Sequence, residues 1–302
     1  MFRLKFPFSL RIENTNFCNA QCIMCPRDEH TRKKGIMSLD QFKLLADECS
    51  DKLITEIHLH GYGEPLLDKN LSAKIAYAKY VNIPRTHIIS NATLITEKLA
   101  YDLVSSGLDS IKISLNGNNQ HDYERIQKGL KYENCLSGIR NLVAAKISLK
   151  QKNPTISVQF MNELADSHPD ENLIEYLKLH TVITSSKLHN WGNTKSTIKN
   201  ISPSGYKSCD KIQSKIMQIL WNGDVVPCCL DFNGTEILGN VFETSITSVW
   251  NSSKFLNFIE KHNNQTFPEI CKNCSQLSVY TVATRIKNLI KGTTLLSEMY
   301  FR

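Results

Sequence analysis

The sequence predicts an α/β protein built on a parallel sheet. Strand-like segments of four to six residues alternate with helix-like segments through the first two-thirds of its 302 residues. Hydrophobic residues make up 41% of the chain, enough to bury a sizeable core. The residues that suggest chemistry follow the strands, where such sheets gather their active sites. About six strand–helix units can be read, too few for a closed barrel of eight, so an open barrel or a doubly wound sheet is expected.

The first strand is read at Ser9 to Glu13, running directly into a cysteine cluster. Ser38 to Cys49 reads as a helix. Ser38 and Gln41 have the spacing of a capping box, and Leu39, Phe42, Leu45, Ala46 and Cys49 share one face. A strand over Ile54 to Leu59 leads into Gly61-Tyr62-Gly63-Glu64-Pro65, and Leu71 to Tyr80 is helical. Thr86 to Ile89 is the next strand, and Thr96 starts a helix that Gly107 ends. Ser110 to Leu115 alternates as a strand. A helix near Glu133 to Ile147, a strand over Thr155 to Phe160, a helix near Glu171 to His180 and a strand near Lys187 to Trp191 complete the repeat. Residues 193–208, rich in Ser, Thr, Lys and Asn, read as a linker. A cysteine-bearing module spans 209–274, and Val279 to Lys291 reads as an amphipathic helix.

The net charge of +7 is spread out, and runs such as Arg32-Lys33-Lys34 are short. They read as a solvated face, which argues against a nucleic-acid partner. No run of 18 apolar residues exists, so no membrane span is expected, and the N-terminus lacks the pattern of a signal peptide. A cytoplasmic location follows as an expectation. Eight of the ten cysteines fall in two regions, at 18, 22 and 25 and at 209, 228, 229, 271 and 274. In a long chain without a signal peptide, metal binding is a better reading than disulfides. Cys49 and Cys135 lie on apolar helix faces and read as core residues.

Cys18, Cys22 and Cys25 have the spacing C-x3-C-x2-C. Three thiolates on one loop can wrap an iron–sulfur cluster and leave one iron open. A structural zinc site would need a fourth ligand, which His30 could supply. This spacing resembles the signature of the radical SAM superfamily. The resemblance implies a partial (β/α)6 TIM-like barrel with a small C-terminal iron–sulfur-binding domain. It also implies a [4Fe–4S] cluster on three cysteines, S-adenosylmethionine held at the open iron, and a 5′-deoxyadenosyl radical that takes hydrogen from a substrate. Met24 would then pack near adenine. Gly61-Tyr62-Gly63-Glu64-Pro65 resembles the family's Gly-Gly-Glu-Pro motif, with glycines that let the backbone approach a ligand and Glu64 pairing with the methionine ammonium group. Ser90-Asn91-Ala92-Thr93 and Ser114-Leu115-Asn116-Gly117 resemble later family segments, which makes Asn91, Ser114 and Asn116 candidates for the ribose hydroxyls or the carboxylate. Their turn-forming residue types also fit plain turns. Arg125 sits where relatives carry a carboxylate-binding arginine, and equally reads as a surface arginine on a helix.

The segment Trp221 to Cys229, with Gly239-Asn240 and Trp250-Asn251 after it, resembles the SPASM domain of the same superfamily. No cysteine follows Cys274, which argues for one auxiliary [4Fe–4S] cluster on Cys209, Cys228, Cys271 and Cys274 rather than two. Four thiolates would saturate it and suit electron transfer. A zinc knuckle is the alternative for this module. Cys229 is left over, as a buried thiol or a hydrogen donor to a substrate radical. The expected domains are a radical SAM core over 1–195, an auxiliary cluster domain over 196–280 and a helical tail over 281–302. Relatives so built include peptide maturases and dehydrogenases or epimerases of sugars and aminocyclitols. The chain begins almost at its first strand, with no leader-binding domain expected before it. The expected function is oxidation or epimerisation of a small polar substrate or of a peptide presented by a partner. An electron donor such as flavodoxin or ferredoxin is implied. The alternative from another class is a non-catalytic zinc or iron–sulfur scaffold.

Overall fold

The computed structural model describes residues 6–52, 54–192, 207–213 and 215–279. Six strands run parallel, alternating with helices. They are β1 (Ser9–Ile12), β3 (Glu56–His58), β4 (Arg85–Ser90), β5 (Ser110–Ser114), β7 (Thr155–Phe160) and β8 (Val182–Ser185). A two-residue strand, β2 (Gln21–Cys22), pairs with β6 (Gln127–Lys128) outside this sheet. The connecting helices are α1 (Leu39–Cys49), α2 (Leu71–Tyr80), α3 (Glu97–Ser105), α4 (Gln120–Ile126), α5 (Tyr132–Ser148) and α6 (Glu171–His180).

Local chemistry sets the helix limits. Ser38 and Gln41 form the predicted capping box on α1. The Thr96 side chain caps α3, which stops before Gly107. The apolar helix faces and the inward strand residues share one core that includes Leu10, Ile57, Ile88, Ile113 and Val158. Cys49 and Cys135 are in that core, as expected.

The C-terminal module joins the same sheet. Following β9 (Lys207–Cys209) and α7 (Asp210–Gln213), strand β10 (Ile216–Ile219) lies parallel to β1, with Leu10 opposite Met217 and Ile12 opposite Ile219. Strands β11 (Asp224–Val226) and β12 (Gly239–Asn240) continue it in antiparallel fashion. Among the described residues the sheet therefore has nine strands, and the module is a continuation of the barrel rather than a bead on a linker. Helices α8 (Ile246–Trp250), α9 (Ser253–Asn263) and α10 (Glu269–Lys272) follow, then β13 (Leu277–Val279), which pairs with β9.

Three expectations are corrected. The strand that follows α6 is Val182–Ser185, not Lys187 to Trp191: its β-branched residues pair with β7, and Trp191 then turns through a positive φ of 48°. Val279 lies in a strand instead of opening a helix, while 280–291 of that expected helix, the tail over 281–302 and 193–206 of the expected linker lie outside the described residues. Arg32 is not on a solvated face. Its guanidinium binds Glu13 through two hydrogen bonds of 3.0 and 2.8 Å, and Glu13 is fully buried. The pair fixes the loop after Cys25 to the end of β1, and Glu13 also accepts the Trp221 amide from beyond β10.

Candidate active site and its two cysteine sets

The first cysteine loop crosses the ends of β1, β3, β4 and β5 and has three anchors. Cys22 is paired with Gln127 through β2 and β6, and the Ile23 amide donates to the Ile126 carbonyl. Between Cys18 and Cys22, the Asn19 side chain accepts from Asn91 at 2.8 Å and donates to Thr93 at 3.1 Å. Cys18, Cys22 and Cys25 consequently face one cleft of about 290 Å³. Met24, Gly61, Gly63, Glu64, Asn91, Ser114 and Asn116 stand on its walls, so seven of the eight non-cysteine candidates expected there are brought together.

The eighth, Arg125, is elsewhere. Its guanidinium contacts Asp122 and Asp166 and donates to the Leu164 carbonyl at 2.7 Å. It is held as a structural cation by the 160s loop and does not line the cleft. Gln127 takes a place that sequence reading missed. Its amide donates to the carbonyls of Ser114 and Leu115, and its oxygen accepts from Asn116. No local motif marks it, because its role depends on pairing with Cys22.

The glycines of the Gly61 loop serve a different contact from the one expected. A Cβ on Gly63 would lie 2.3 Å from the Phe17 carbonyl oxygen, and one on Gly61 would lie 2.5 Å from the Glu13 side chain. Their bareness seats this loop on the chain entering the cysteine loop, and the Glu64 amide then donates to Phe17 at 2.8 Å. The Glu64 carboxyl is fully buried. It accepts from the Ser90 hydroxyl at 2.7 Å, the Asn91 amide at 2.9 Å and the Leu66 amide at 3.2 Å. Burial pushes its pKa up to about 7 against these donors. A carboxylate has about four acceptor positions, so one remains for a cation. Asn91 has used both acceptor positions on Thr93. In Asn116, a residue on the wall of the cleft, the buried Oδ1 has no partner.

The second set is assembled from distant segments. Cys209, Cys228, Cys271 and Cys274 line one enclosed cavity with Gly192, Pro227 and Leu230. Burial, then Cys229, with Cys209 and Cys271 adding, raises the Cys228 thiol well above its ordinary value. Cys271 is raised by burial and by Cys209 and Cys274. In the first loop, burial and then Cys25 and Cys18 push Cys22 up to about 12. Thiols that so disfavour one another's ionisation suit a bound cation group, which would replace their protons. Both donor sets thus fit an iron–sulfur cluster, the first with three thiols and the second with four. Cys229 is only half-buried and lines a separate pocket with Arg11, Lys211 and Gln218.

Aromatic residues join the two sets. The Trp191 indole donates to the Met24 carbonyl at 2.7 Å, inside the first cysteine loop. The same ring packs in the cluster that holds Cys209, Cys228 and Cys274. Tyr62, from the Gly61 loop, donates its hydroxyl to the Cys228 carbonyl at 3.4 Å. The cleft lined by the first three thiols is therefore walled by Trp191 and Tyr62, two aromatic residues that also reach the region of the second set.

Residues 12–164, just over half the chain, match the radical SAM superfamily. This chain is a member of that superfamily. Residues 209–275 match SPASM, an iron–sulfur cluster-binding domain. The S-adenosyl-L-methionine-dependent 2-deoxy-scyllo-inosamine dehydrogenase of Niallia circulans is 25% identical over 277 residues, which is 90% of this chain and 94% of that protein. Two solved structures share the fold. BtrN in complex with AdoMet and 2-DOIA is 24% identical, covers 93% of this chain and 97% of its own, and has a TM-score of 0.65. SuiB of Streptococcus suis bound to precursor peptide SuiA is 16% identical, with 90% and 70% coverage and a TM-score of 0.59. A radical SAM enzyme with a SPASM domain uses S-adenosylmethionine and [4Fe–4S] clusters, which the two thiol sets fit. No helix among the described residues is long and apolar enough to cross a membrane.

Proposed function

We propose that this radical SAM enzyme is an oxidoreductase acting on a small hydroxylated substrate of the sugar or aminocyclitol kind. Cys18, Cys22 and Cys25 hold the catalytic cluster, and Cys209, Cys228, Cys271 and Cys274 hold one auxiliary cluster. The core extends over 1–195 and the auxiliary module over 196–280. When bound, the catalytic cluster and S-adenosylmethionine supply a 5′-deoxyadenosyl radical that abstracts one substrate hydrogen atom.

The chain's own residues have separate tasks. Glu64 keeps one acceptor position for the methionine ammonium group, while its other three bonds fix the Ser90 hydroxyl and the Asn91 and Leu66 backbone amides. The unpartnered Oδ1 of Asn116 accepts a ribose hydroxyl. Met24 packs against adenine, and Ser114 stands beside it on the cleft wall. Asn91 acts by holding Asn19, and so the shape of the cysteine loop.

The observation that carries the oxidative reading is the Trp191 bridge from the Met24 carbonyl to the auxiliary thiols. A hydroxyl-bearing substrate carbon that loses a hydrogen atom in this cleft still has one electron and the hydroxyl proton to lose before it is a ketone, and an auxiliary cluster held by the four thiols would receive the electron while the proton leaves to solvent. The likeness to the inosamine dehydrogenase over 90% of this chain supports the same chemistry. Return of hydrogen by Cys229 is less well supported, since that thiol lines the Arg11 pocket and not the cleft. A peptide substrate remains the second reading, resting on the shared fold with SuiB.

The test is anaerobic reconstitution followed by incubation with S-adenosylmethionine and a panel of ring-deuterated aminocyclitols and sugars. Deuterium arriving in 5′-deoxyadenosine together with a ketone product supports the reading. Cleavage of S-adenosylmethionine with no deuterium transfer from any panel member, and transfer from a peptide instead, would replace it with peptide modification.

A further inference from the structure

Below the cleft lies a second group of potential ligands that the radical chemistry does not use. His58 and His60 are two apart on β3 and the residue pair that follows it, so both project to the same face of the sheet. His87 on β4 is the register partner of His58. The three imidazole rings have centroids 5.2 to 5.5 Å apart and meet nearly edge to face, at 76° to 85°. One nitrogen from each ring lies within 4.8 Å of the others.

Outer contacts hold two of the rings. Ser110 Oγ is 2.8 Å from His87 Nδ1, which leaves Nε2 of that ring for another partner. Glu56 Oε1 approaches His58 Nε2 at 3.0 Å as an ionic contact without hydrogen-bond geometry, so both ring nitrogens of His58 are buried without a hydrogen-bond partner. The Nδ1 of His60 is also buried and unpartnered, on a side chain whose residue is only 8% exposed. Buried polar atoms without partners are uncommon in folded proteins and call for an explanation. Imidazoles fixed from behind by a carboxylate and a hydroxyl are the usual outer support of a metal ligand.

We propose that His58, His60 and His87 form a three-imidazole site for a divalent transition ion of the zinc class. Zinc–nitrogen bonds of about 2.0–2.1 Å place tetrahedral ligand atoms about 3.4 Å apart. From a spread of 4.8 Å, the side chains close on an ion with shifts of about 1 Å or less each. The donor set defines the ion. Arg11 and Lys112 act on His60 and His87 and oppose added positive charge, Glu56 beside His58 offsets part of it, and the donors are imidazole nitrogens rather than oxygens. Such a setting rejects calcium and magnesium, which need several oxygen ligands, and keeps ions that bind neutral imidazole strongly. His60 belongs to the cleft lining, so the ion would sit at the floor of the cleft, apart from both cysteine sets.

The experiment uses the full chain with its iron–sulfur clusters reconstituted, exposed to micromolar zinc chloride and then desalted. About one zinc per chain is expected to remain, and zinc-edge X-ray absorption should show only nitrogen or oxygen neighbours at about 2.0–2.1 Å with the outer scattering of imidazole. His58→Ala and His87→Ala should each weaken zinc retention by at least about tenfold at unchanged iron content. Sulfur neighbours at about 2.3 Å, no retained zinc, or full retention in both variants would overturn the proposal. The absorption spectrum is read on the unaltered protein, so it decides the question even if a variant misfolds.

Discussion

Cys18, Cys22 and Cys25 share eight residues of chain, whereas Cys209, Cys228, Cys271 and Cys274 are gathered from 66. The first set sits on a loop at the ends of parallel strands, in a cleft that admits a small molecule. The second closes around a small cavity walled by Gly192, Pro227 and Leu230. A local set can leave a coordination position open because its loop is anchored from outside, by Asn91, Gln127 and Ile126. A set drawn from separate segments is closed by the act of folding and suits a saturated site. The contrast teaches that reactivity and saturation are set by how the thiols are delivered, as well as by how many there are.

The largest effect that tests this contrast is removal of a thiol from the open set. Cys22→Ala should lower iron by about four per chain and bring 5′-deoxyadenosine to background, while the auxiliary iron stays. Iron loss from both sets would mean that the two are not independent. The converse variant, Cys271→Ala, should remove the other four or so irons and end product formation, with S-adenosylmethionine cleavage kept within about threefold. If cleavage fell as far as in Cys22→Ala, the division of labour would be wrong.

Glu64→Gln comes next. It removes a charged acceptor and keeps the shape, and a hydrogen bond to a charged group is worth about 1.5–3 kcal/mol. Binding of S-adenosylmethionine should weaken by about 10- to 100-fold, measured by equilibrium dialysis, with iron unchanged. Gly63→Ala should act at the seat of the same loop. Its new methyl group meets the Phe17 carbonyl, and overpacking of this kind costs about 1–3 kcal/mol. Chemical denaturation should show a lower midpoint, and an unchanged midpoint would mean that the loop has another place to sit.

What could be read in the sequence follows the same division. Helix α1 and strand β7 begin and end where their patterns say, because capping, periodicity and turn residues act within a few positions. The C-x3-C-x2-C loop and the Glu64 loop were legible for that reason. The parallel pairing of β10 with β1 was not, since a four-residue strand carries no mark of its distant neighbour. Arg32 looked like part of a charge run because Glu13, its partner, lies 19 residues away. Gln127 and Trp191 escaped notice because each works through a backbone carbonyl or a paired strand, and any polar or aromatic residue type would read the same. The four auxiliary cysteines were placed by resemblance to a family, and their shared cavity supplies the physical reason for grouping them.

The smallest effect concerns the link between the two regions. Trp191→Phe keeps an aromatic ring against Tyr62 and Phe232 and deletes the indole donor to Met24. A net hydrogen bond is worth about 1 kcal/mol, so the melting temperature should fall by only about 2–4 °C. The informative quantity is the ratio of product to 5′-deoxyadenosine. If Trp191 orients the open loop toward the auxiliary set, Phe at this position lets radicals form at nearly the same rate while fewer end as oxidised product, so the ratio drops. A ratio that stays constant while both yields fall together would assign Trp191 to the stability of the first loop alone, and the second electron would then leave the substrate by a route that does not pass the Met24 contact.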